Sequence, residues 1–348
     1  MCQKDHSMIH CQIIPPHIFR HVAENSTGAQ KDAAYQAISA SGQLRGQREA
    51  ITRFAAFAPV TAGTKRRTVF DAQKGMALPG KLIRGETDPK SKDVSVNEAF
   101  DGSGKTYDFY NKVFKRNSID GQGMRLDSSV HYRQNFNNAF WNGQQMVYGD
   151  GDGQIFNRFT KSVDVIGHEL THGVTQFTAG LVYQDQPGAL NEHMSDVFGS
   201  LVKQYSKKQT AKQADWLIGQ GLFTANIQGV ALRSMKAPGT AYNDPMIGRD
   251  PQPAHMSKFV KTTQDNGGVH INSGIPNKAF YELANALGGN AWTKAGLIWY
   301  VTLTEKMRPD TQFKEFAQMT FDVAKSQFNA NGTEAAVKTA WDSVGIKI

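Results

Sequence analysis

The stretch that decides the fold is His168-Glu169-Leu170-Thr171-His172, near the middle of a chain of 348 residues. Two histidines four residues apart project from one face of a helix, one turn apart. Imidazoles so placed can bind one Zn²⁺ at about 2.0–2.1 Å each, and Glu169 can reach a water on the metal without binding the metal itself. Such a motif arises by chance in roughly one chain in a hundred. Alone, it leaves open a surface helix with two unrelated histidines.

A second segment, residues 188–196, supplies the missing ligand. Nineteen residues separate His172 from Glu192. Two histidines and one glutamate form the three-ligand set of a catalytic zinc, whose fourth position stays open for water. Asp196 lies four residues after Glu192, on the same helical face, and can orient a ligand histidine through the nitrogen that does not bind the metal. Asn191 is a further candidate for this supporting role. The pattern therefore favours a catalytic zinc site over a structural one.

The rest of the chain changes character just before the histidine motif. From about Thr68 to Asp152 the sequence predicts short strands broken by turns, such as 68–70, 81–84, 124–132 and 145–148. From Ser162 onward, apolar residues recur with helical spacing. The predicted helices cover 162–177, 189–205, 276–287, 292–307, 312–328 and 334–344, the last two with Thr311 and Thr333 as N-caps. We therefore expect an α+β fold of two domains, a β-rich one over 51–180 that includes the motif and a helical one over 181–348, with the active-site cleft between them.

These segments resemble the thermolysin-type (M4) family of zinc metallopeptidases, from about Thr106 to the C-terminus. Five blocks carry the resemblance in order: NNAFWNG at 137–143, the histidine motif, the Glu192 segment, LRSM at 232–235 and DNGGVHINSG at 265–274. The resemblance implies a thermolysin-like fold and a metalloendopeptidase that hydrolyses internal peptide bonds of proteins. It also implies one catalytic zinc ion.

The catalytic roles follow partly from chemistry and partly from this resemblance. A zinc ion lowers the pKa of its water and polarises the scissile carbonyl, and Glu169 is placed to take the proton and to deliver it to the leaving amine. The developing oxyanion needs donors placed in advance. By resemblance these donors are Tyr183 and His270, with Asp265 holding His270 in its donor form.

The resemblance also implies residues that bind the substrate. Asn138 and the carbonyl of Ala139 would hold the peptide backbone as an added strand, and Arg233 would bind a substrate carbonyl. The family prefers a bulky hydrophobic residue just after the cleaved bond. Four residues occupy the positions of the matching pocket: Phe156, Val165, Ile218 and Leu232.

Calcium is a point at which the chain departs from the family. The best-known members carry a double calcium site after the helix of the glutamate ligand. The corresponding positions here are Lys203, Leu217, Gln220 and Gly221. An amine, an amide and apolar groups do not provide the oxygen ligands that Ca²⁺ requires. We therefore expect the double site to be absent, and we leave open a single weaker site at Asp164 and Asp215.

The N-terminal region departs from the family as well. It contains Ile14-Pro15-Pro16, and it resembles the protealysin-like subgroup, whose short propeptide carries a paired-proline motif. The resemblance implies that residues 1 to about 50 form an inhibitory propeptide that covers the cleft and is removed by cleavage within 45–60. The chain would then be made as a precursor.

Both cysteines of the chain, Cys2 and Cys11, lie in this region. With His6 and His10 they could form a second metal site, but no partner pair follows at the spacing of a zinc finger, which favours chance ligand residues in a leader. A variant of the propeptide hypothesis has Cys11 or Cys2 binding the catalytic zinc as a thiolate. The role of the cysteines stays open.

Composition limits the partners. The net charge is +8, but no nucleic-acid-binding motif accompanies the basic clusters, so a solvated basic surface is the better interpretation and no nucleic-acid partner is expected. No window approaches the roughly 18 apolar residues of a membrane span. The polar N-terminus lacks a Sec-type signal peptide, so we expect secretion by a non-Sec route, with a cytoplasmic precursor as the alternative. The expected partners of a monomer are protein or peptide substrates and its own propeptide.

Two other functions compete with an endopeptidase. An aminopeptidase can share the same three ligands, but it needs an acidic anchor for a free amine, and the block at Asn138 favours internal peptide bonds. A zinc-dependent scaffold without catalysis is disfavoured because Glu169, Tyr183 and His270 are all retained. The sequence identifies neither the physiological substrate nor the processing site.

Overall fold

A five-stranded mixed sheet organises the N-terminal half of the chain. The structure, a computed structural model, describes residues 12–28, 30–39, 63–328 and 332–348. The strands are β1 (Arg67–Asp71), β2 (Lys81–Arg84), β3 (Leu126–Val130), β4 (Ala139–Trp141) and β5 (Met146–Tyr148). Their order is β2-β1-β3-β5-β4, with β1, β3 and β5 parallel and the two outer strands antiparallel to their neighbours. The strand predictions are correct in position, and β4 lies at an edge, where a further strand can pair.

A helix of 21 residues, α3 (Val94–Phe114), interrupts the region that the sequence predicts to be strands and turns. Its start is fixed by Asp93, whose carboxylate accepts hydrogen bonds from the backbone N–H groups of Ser95 and Val96. Gly102 and Gly104 weaken helix propensity, but the helix buries one face against the sheet and the central helices, including the fully buried Phe109 and Tyr110. Tertiary burial therefore overrides the local signal.

Two central helices, α4 (Val163–Gln176) and α5 (Asp185–Lys207), form the middle of the molecule. They approach closely where Gly199 faces α4, since a Cβ at Gly199 would lie 2.4 Å from the carbonyl oxygen of Asp164. Almost every side chain of both helices is buried, polar ones included. Buried polar groups are retained in such a place when they are paired or hold a metal, so this helix pair is where a site is expected.

The C-terminal half is mainly helical, as predicted. Its elements are α6 (Asp265–Asn272), α7 (Gly274–Leu287), α8 (Ala295–Val301), α9 (Phe313–Gln327) and α10 (Thr333–Ser343), with two short hairpins, β6 (Leu217–Ile218) with β7 (Arg233–Ser234) and β8 (Asn243–Asp244) with β9 (Gly248–Arg249). The helix predicted over 292–307 continues past α8 as a π-helical turn, Thr302–Lys306.

Both predicted N-caps in this half are wrong by one residue. Gln312 caps α9, and its backbone N–H donates to the Glu315 carboxylate at 2.9 Å. Gly332 precedes α10 with a φ of 64°, so Thr333 is the first helical residue rather than the cap. A glycine takes this left-handed conformation without the strain that a Cβ would bring.

The N-terminal segment crosses the molecule to reach the C-terminal half. It contains α1 (Pro16–Asn25) and a second helix, α2, over 30–39. Pro16 stands at the first helical position, where its missing N–H costs nothing. The side chains of Ile18, Phe19 and Val22 are buried on one face of α1 and belong to the main hydrophobic core. This segment therefore packs as part of the folded protein.

Candidate metal centre and active site

Three predicted ligands meet between α4 and α5. The Nε2 atoms of His168 and His172 lie 3.0 Å apart. The Glu192 carboxylate lies 3.4 Å from the first and 3.5 Å from the second. Ligands about 2.0–2.1 Å from a tetrahedral zinc ion are separated from one another by about 3.3 Å, so these distances suit zinc. All three side chains are at most 1% exposed.

A carboxylate oxygen of Glu192 that lacks a hydrogen-bond partner also supports a metal ion at this position. The Oε2 atom of Glu192 is buried and has no hydrogen-bond partner among the described residues. A buried carboxylate oxygen without a partner costs on the order of 1–3 kcal/mol or more. A cation between the two imidazoles and Glu192 would remove that cost. The donor set, two neutral nitrogens and one carboxylate, is one that zinc accepts. These residues therefore fit a zinc ion.

Each ligand histidine is oriented through its other nitrogen. The Nδ1 atom of His168 lies 2.8 Å from the Asp196 carboxylate. The Nδ1 atom of His172 lies 2.8 Å from the Asn191 side-chain oxygen and 2.9 Å from the Ser195 hydroxyl. Such contacts fix the tautomer and leave Nε2 for the metal. Asp196 and Asn191 are placed as the sequence predicts. Ser195 was not predicted, although its place one turn after Glu192 on the same helix could have indicated it.

Asp196 is itself held by two further residues. Arg233 binds it with two hydrogen bonds of 2.8 Å, and the Asn277 amide donates to it at 2.9 Å. Burial alone would raise the pKa of the Asp196 carboxyl, but the Arg233 guanidinium and His168 outweigh burial and hold that pKa well below its usual range. Asp196 is therefore an anion at neutral pH. Asn277 lies 81 residues from Asp196 in sequence, and no local pattern could have indicated it.

Glu169 lies beside the ligands, facing the same space. One atom each of His168, Glu169 and His172 fall within 4.8 Å of one another. The backbone N–H of Trp141 donates to Glu169 Oε2 at 3.0 Å, while Oε1 has no hydrogen-bond partner among the described residues. Burial raises the pKa of Glu169 to about 8, although His168 opposes that effect. A carboxyl group with such a pKa can both take and return a proton near neutral pH.

The predicted oxyanion donors, Tyr183 and His270, both lie next to the Glu192 carboxylate. The Tyr183 hydroxyl is 3.3 Å from His270 Nε2, and it also donates to the Glu192 carboxylate. Asp265 accepts from the His270 backbone N–H at 2.9 Å and lies 2.6 Å from His270 Nδ1. Burial lowers the pKa of His270, but Asp265 and Glu192 outweigh it and raise that pKa to about 9. His270 can therefore donate a hydrogen bond through Nε2 at neutral pH.

The four residues predicted to line the hydrophobic pocket are all fully buried, at 0–1% exposure. Val165 lies one turn before Glu169 on α4. The backbone N–H of Leu232, the residue before β7, donates to the carbonyl of Ile218 on β6 at 2.9 Å. Phe156 packs against Phe159 and Phe223, with ring centroids 5.7 and 5.6 Å away.

A stretch of the chain itself contacts the predicted substrate-binding groups. The Ile13 N–H donates to the Ala139 carbonyl at 3.2 Å, and Arg233 donates to the Ile13 carbonyl at 3.2 Å. The Ile14 N–H donates to the Asn138 side-chain oxygen at 3.1 Å. The Gln12 carbonyl lies 3.1 Å from His270 Nε2. Residues 12–14 therefore contact the edge strand β4, Arg233 and His270 at the groups predicted to bind a substrate. Cys2 and Cys11, and the processing region 45–60, lie outside the described residues.

Comparisons with known proteins identify the family of this chain. Residues 58–176 match the thermolysin metallopeptidase catalytic domain, and residues 179–346 match the thermolysin metallopeptidase alpha-helical domain. The chain belongs to the thermolysin family of metallopeptidases. It is 50% identical over 339 residues to the extracellular metalloprotease of Pectobacterium carotovorum subsp. carotovorum. The matched region covers 97% of each chain.

Two further relatives place the chain within the thermolysin family. The solved precursor of protealysin, a metalloproteinase from Serratia proteamaculans, is 50% identical, with a TM-score of 0.89 and coverage of 97% of this chain and 99% of that one. The thermolysin of Alicyclobacillus acidocaldarius is 42% identical over 287 residues, 80% of this chain and 50% of that one.

Family membership confirms three predictions: the thermolysin-like family with its protealysin-like subgroup, the two-domain fold, and the metalloendopeptidase class. Thermolysin-family membership also implies zinc, and the ligand cluster fits that metal. None of the described helices is long and apolar enough to cross a membrane.

Proposed function

We propose that this thermolysin-family enzyme cleaves internal peptide bonds of proteins on the N-terminal side of bulky hydrophobic residues. The observation that carries the proposal is the path of residues 12–14, whose backbone groups bind Asn138, Ala139 and Arg233, the groups predicted to hold the backbone of a peptide substrate. Gln12 to Ile14 are internal residues of the chain, with sequence on both sides of them. Binding of internal backbone groups at these positions suits an endopeptidase.

Zinc would be held by His168, His172 and Glu192. When bound, it supplies a Lewis acid that polarises the scissile carbonyl and lowers the pKa of a water. Glu169 Oε1, which has no hydrogen-bond partner among the described residues, would take the proton of the attacking water and deliver it later to the leaving amine. His270, which the Gln12 carbonyl already contacts, and Tyr183 donate hydrogen bonds to the carbonyl oxygen as negative charge develops on it.

The preference for a hydrophobic residue rests on Ile13 and on the predicted pocket. The side chain of Ile13 is fully buried, and the residue follows the one whose carbonyl faces His270. Val165, Ile218 and Leu232 are likewise buried and apolar. Complete burial of such a side chain contributes about 1.5–3 kcal/mol, which a polar residue at this position would lose.

The same contacts support an inhibitory propeptide. We propose that residues 1 to about 50 form it, that cleavage within 45–60 removes it, and that the catalytic domains then comprise 51–180 and 181–348. Residues 12–14 use the groups that a substrate needs, so the two cannot bind at once. Ile13, Ile14, Ile18 and Phe19 are each at most 3% exposed, which makes the covered form stable.

Digestion of an internal peptide with blocked ends tests the reaction. Chain from which the N-terminal fifty residues have been removed should cleave it before hydrophobic residues, and Glu169→Ala should be slower by a factor of about 10²–10⁴. Lys207→Ala, an exposed change on α5, is the matched control and should keep full activity. Equal rates for the Glu169 variant and the parent would overturn the mechanism. Full activity of the intact chain, with no clipped product, would overturn the inhibitory role alone.

A calcium ion should not bind between Asp164 and Asp215. Lys203 Nζ lies 2.8 Å from both Asp164 and Asp215, the two carboxylates left open for a single weak site. We propose that this ammonium group takes the place of a calcium ion there. Since relatives of this chain include a protein described as an extracellular metalloprotease, we also propose that the enzyme acts outside the cell.

A further inference from the structure

His17 lies in the first turn of α1, where the N-terminal segment meets the C-terminal half. Its Nε2 atom is 2.7 Å from the hydroxyl of Tyr242, a residue 225 positions away. Tyr242 is 3% exposed, and burial raises the pKa of its hydroxyl above the usual range, so it stays neutral. This is a side-chain hydrogen bond between α1 and the catalytic part of the chain. His17 thus helps to hold the segment over the cleft.

The other ring nitrogen of His17 is different. Nδ1 is buried and has no hydrogen-bond partner among the residues that the structure describes. In a neutral imidazole only one of the two ring nitrogens carries a hydrogen atom, and the other has a free lone pair. A protonated imidazole carries N–H groups on both nitrogens. Protonation would therefore place an N–H without an acceptor, and a positive charge, inside this contact.

Charged groups of both signs act on the protonation of His17. After burial, Asp265 has the largest effect and favours protonation, whereas His270 on α6, Arg20 on α1 and Arg233 on β7 each disfavour a further positive charge. Burial has the largest effect, and together with these cations it lowers the pKa of His17 from 6.5 to about 4. His270 does not titrate in this range, because its own pKa is raised to about 9.

We propose that His17 makes the covering of the cleft depend on pH, so that the N-terminal segment stays closed when His17 is neutral and opens when His17 is protonated. The proposal rests on the inhibitory role described above and adds its regulation. Because the pKa in the closed form lies below that of an exposed histidine, closure is strongest above pH 6.5 and weakens as pH falls towards 4. The closure equilibrium should fall by about 30-fold at pH 5 and by up to roughly 300-fold at lower pH.

Hydrogen exchange of the full chain measures this opening directly. Glu169→Ala serves as the background, so that self-cleavage does not remove the segment. We expect the backbone amides of Ile13, Ile14 and α1 to be protected at pH 7.5. At pH 5 their protection, corrected for the chemical exchange rate, should fall by about 30-fold. Amides of α9 report global unfolding and should keep their protection.

Two variants assign the effect. His17→Gln keeps a neutral hydrogen-bonding group at the contact, and its protection should no longer change between pH 7.5 and pH 5. His21→Gln is the matched control, since His21 lies one turn later on α1 and contacts the Met246 carbonyl at 3.1 Å. This variant should keep the full pH dependence of the parent.

Three results would overturn the proposal. The first is an equal loss of protection in His17→Gln and the parent, and the second is protection in the parent that does not change with pH. Either one leaves the inhibitory role intact, because the segment would still be closed at pH 7.5. The third is absence of protection for residues 12–25 at every pH, which would overturn the covering of the cleft itself.

Discussion

The two ends of the α4–α5 helix pair both hold buried carboxylates, but they differ in the source of the balancing cation. At one end Glu192 and Glu169 each keep an oxygen without a hydrogen-bond partner among the described residues. At the other end Asp164, which is not solvent exposed, pairs with Lys203 of the same chain. The first end therefore needs a cation from solution, and the second end carries its own. Catalysis requires the first arrangement. A metal ion held by three protein ligands keeps a fourth position open for water, which an ammonium group cannot offer.

The lysine end is complete by itself. Lys203 Nζ lies 2.8 Å from Asp164 and Asp215 and donates to the Leu217 carbonyl at 2.5 Å. Burial lowers the pKa of Lys203, but the two aspartates outweigh burial and raise it, so the side chain is charged. Between the two ends, Gly199 lets α5 approach the backbone of α4. Because Asp164, Glu169 and Glu192 are all buried, each cluster depends on a cation to balance its charge.

The largest difference between the two ends should appear on metal exchange. Removing zinc with 1,10-phenanthroline should abolish peptidase activity of the processed chain, and adding zinc should restore it. Adding calcium to about 10 mM should leave the melting temperature unchanged, because Lys203 occupies the position between Asp164 and Asp215 where the ion would bind. A scan of activity and melting temperature against each metal measures both. A melting temperature that rises steadily with calcium would show that the lysine has not replaced that ion.

Replacing the internal cation should have the next largest effect. Lys203→Met leaves Asp164 buried beside Asp215 without a positive charge, and breaking a buried pair in this way costs about 3–5 kcal/mol of unfolding free energy. Denaturant unfolding measures the loss. Lys207→Met, an exposed change one turn later on α5, should stay within about 0.5 kcal/mol of the parent.

The outcome for Lys203→Met also sharpens the comparison. If calcium restores the lost stability of the variant, the two aspartates form a cation site that the lysine normally fills. A loss below about 1 kcal/mol would mean that the ion pair contributes little and that the two ends are less alike than their geometry suggests.

The sequence predicts the zinc end far better than the lysine end or the helix α3. Zinc ligation restricts both residue type and spacing, so His168, His172 and Glu192 are visible in the sequence alone. The C-terminal helices are visible because their apolar residues recur with a regular spacing. α3 buries a face with helical spacing, but Gly102, Ser103 and Gly104 occupy part of that face, so the run of apolar residues that would indicate a helix is interrupted.

Contacts between distant residues account for the rest. Asn277 supports Asp196 across 81 residues, and His17 reaches Tyr242 across 225. Their identity depends on how the helices pack, and no local pattern reports packing. In the sequence, Lys203 is recognised only as a residue that stands where relatives have a calcium ligand. Its position between Asp164 and Asp215 is visible only in the structure.

A smaller effect is expected from the groups that orient the zinc ligands. Asn191→Ala removes the side-chain oxygen 2.8 Å from His172 Nδ1, while the Ser195 hydroxyl at 2.9 Å stays in place. Zinc affinity should fall by about 10-fold, the low end of the range for such contacts, because one of two partners remains. Competition with a zinc chelator measures the affinity. Asn285→Ala is the control, since its amide bonds the Tyr281 carbonyl on α7. Unchanged affinity in Asn191→Ala would show that Ser195 alone orients the ring.

A third pair of carboxylates, Asp93 and Asp150, extends the comparison, because the cation between them is a histidine whose charge depends on pH. His131 lies 2.7 Å from Asp93 and 2.8 Å from Asp150. The hydrogen bond to Asp150 raises the pKa of His131 against the effect of burial, and with Asp93 it brings the pKa to about 9. Because the folded pKa lies above the unfolded value, the stabilisation is fully present below about pH 6.5 and is lost as pH rises through 9.

His131→Gln should therefore cost the most at pH 6 and much less at pH 10. Both carboxylates are about a third exposed, so solvent screening reduces the expected difference between the two pH values to about 1–2 kcal/mol. Denaturant unfolding of the parent and the variant at each pH gives that difference. If the cost is the same at both pH values, His131 stabilises this contact through its shape and hydrogen bonds rather than its charge. A cost that is larger at pH 6 would instead make Lys203 the better replacement for a metal ion, because the charge of a lysine persists at a pH where that of His131 is lost.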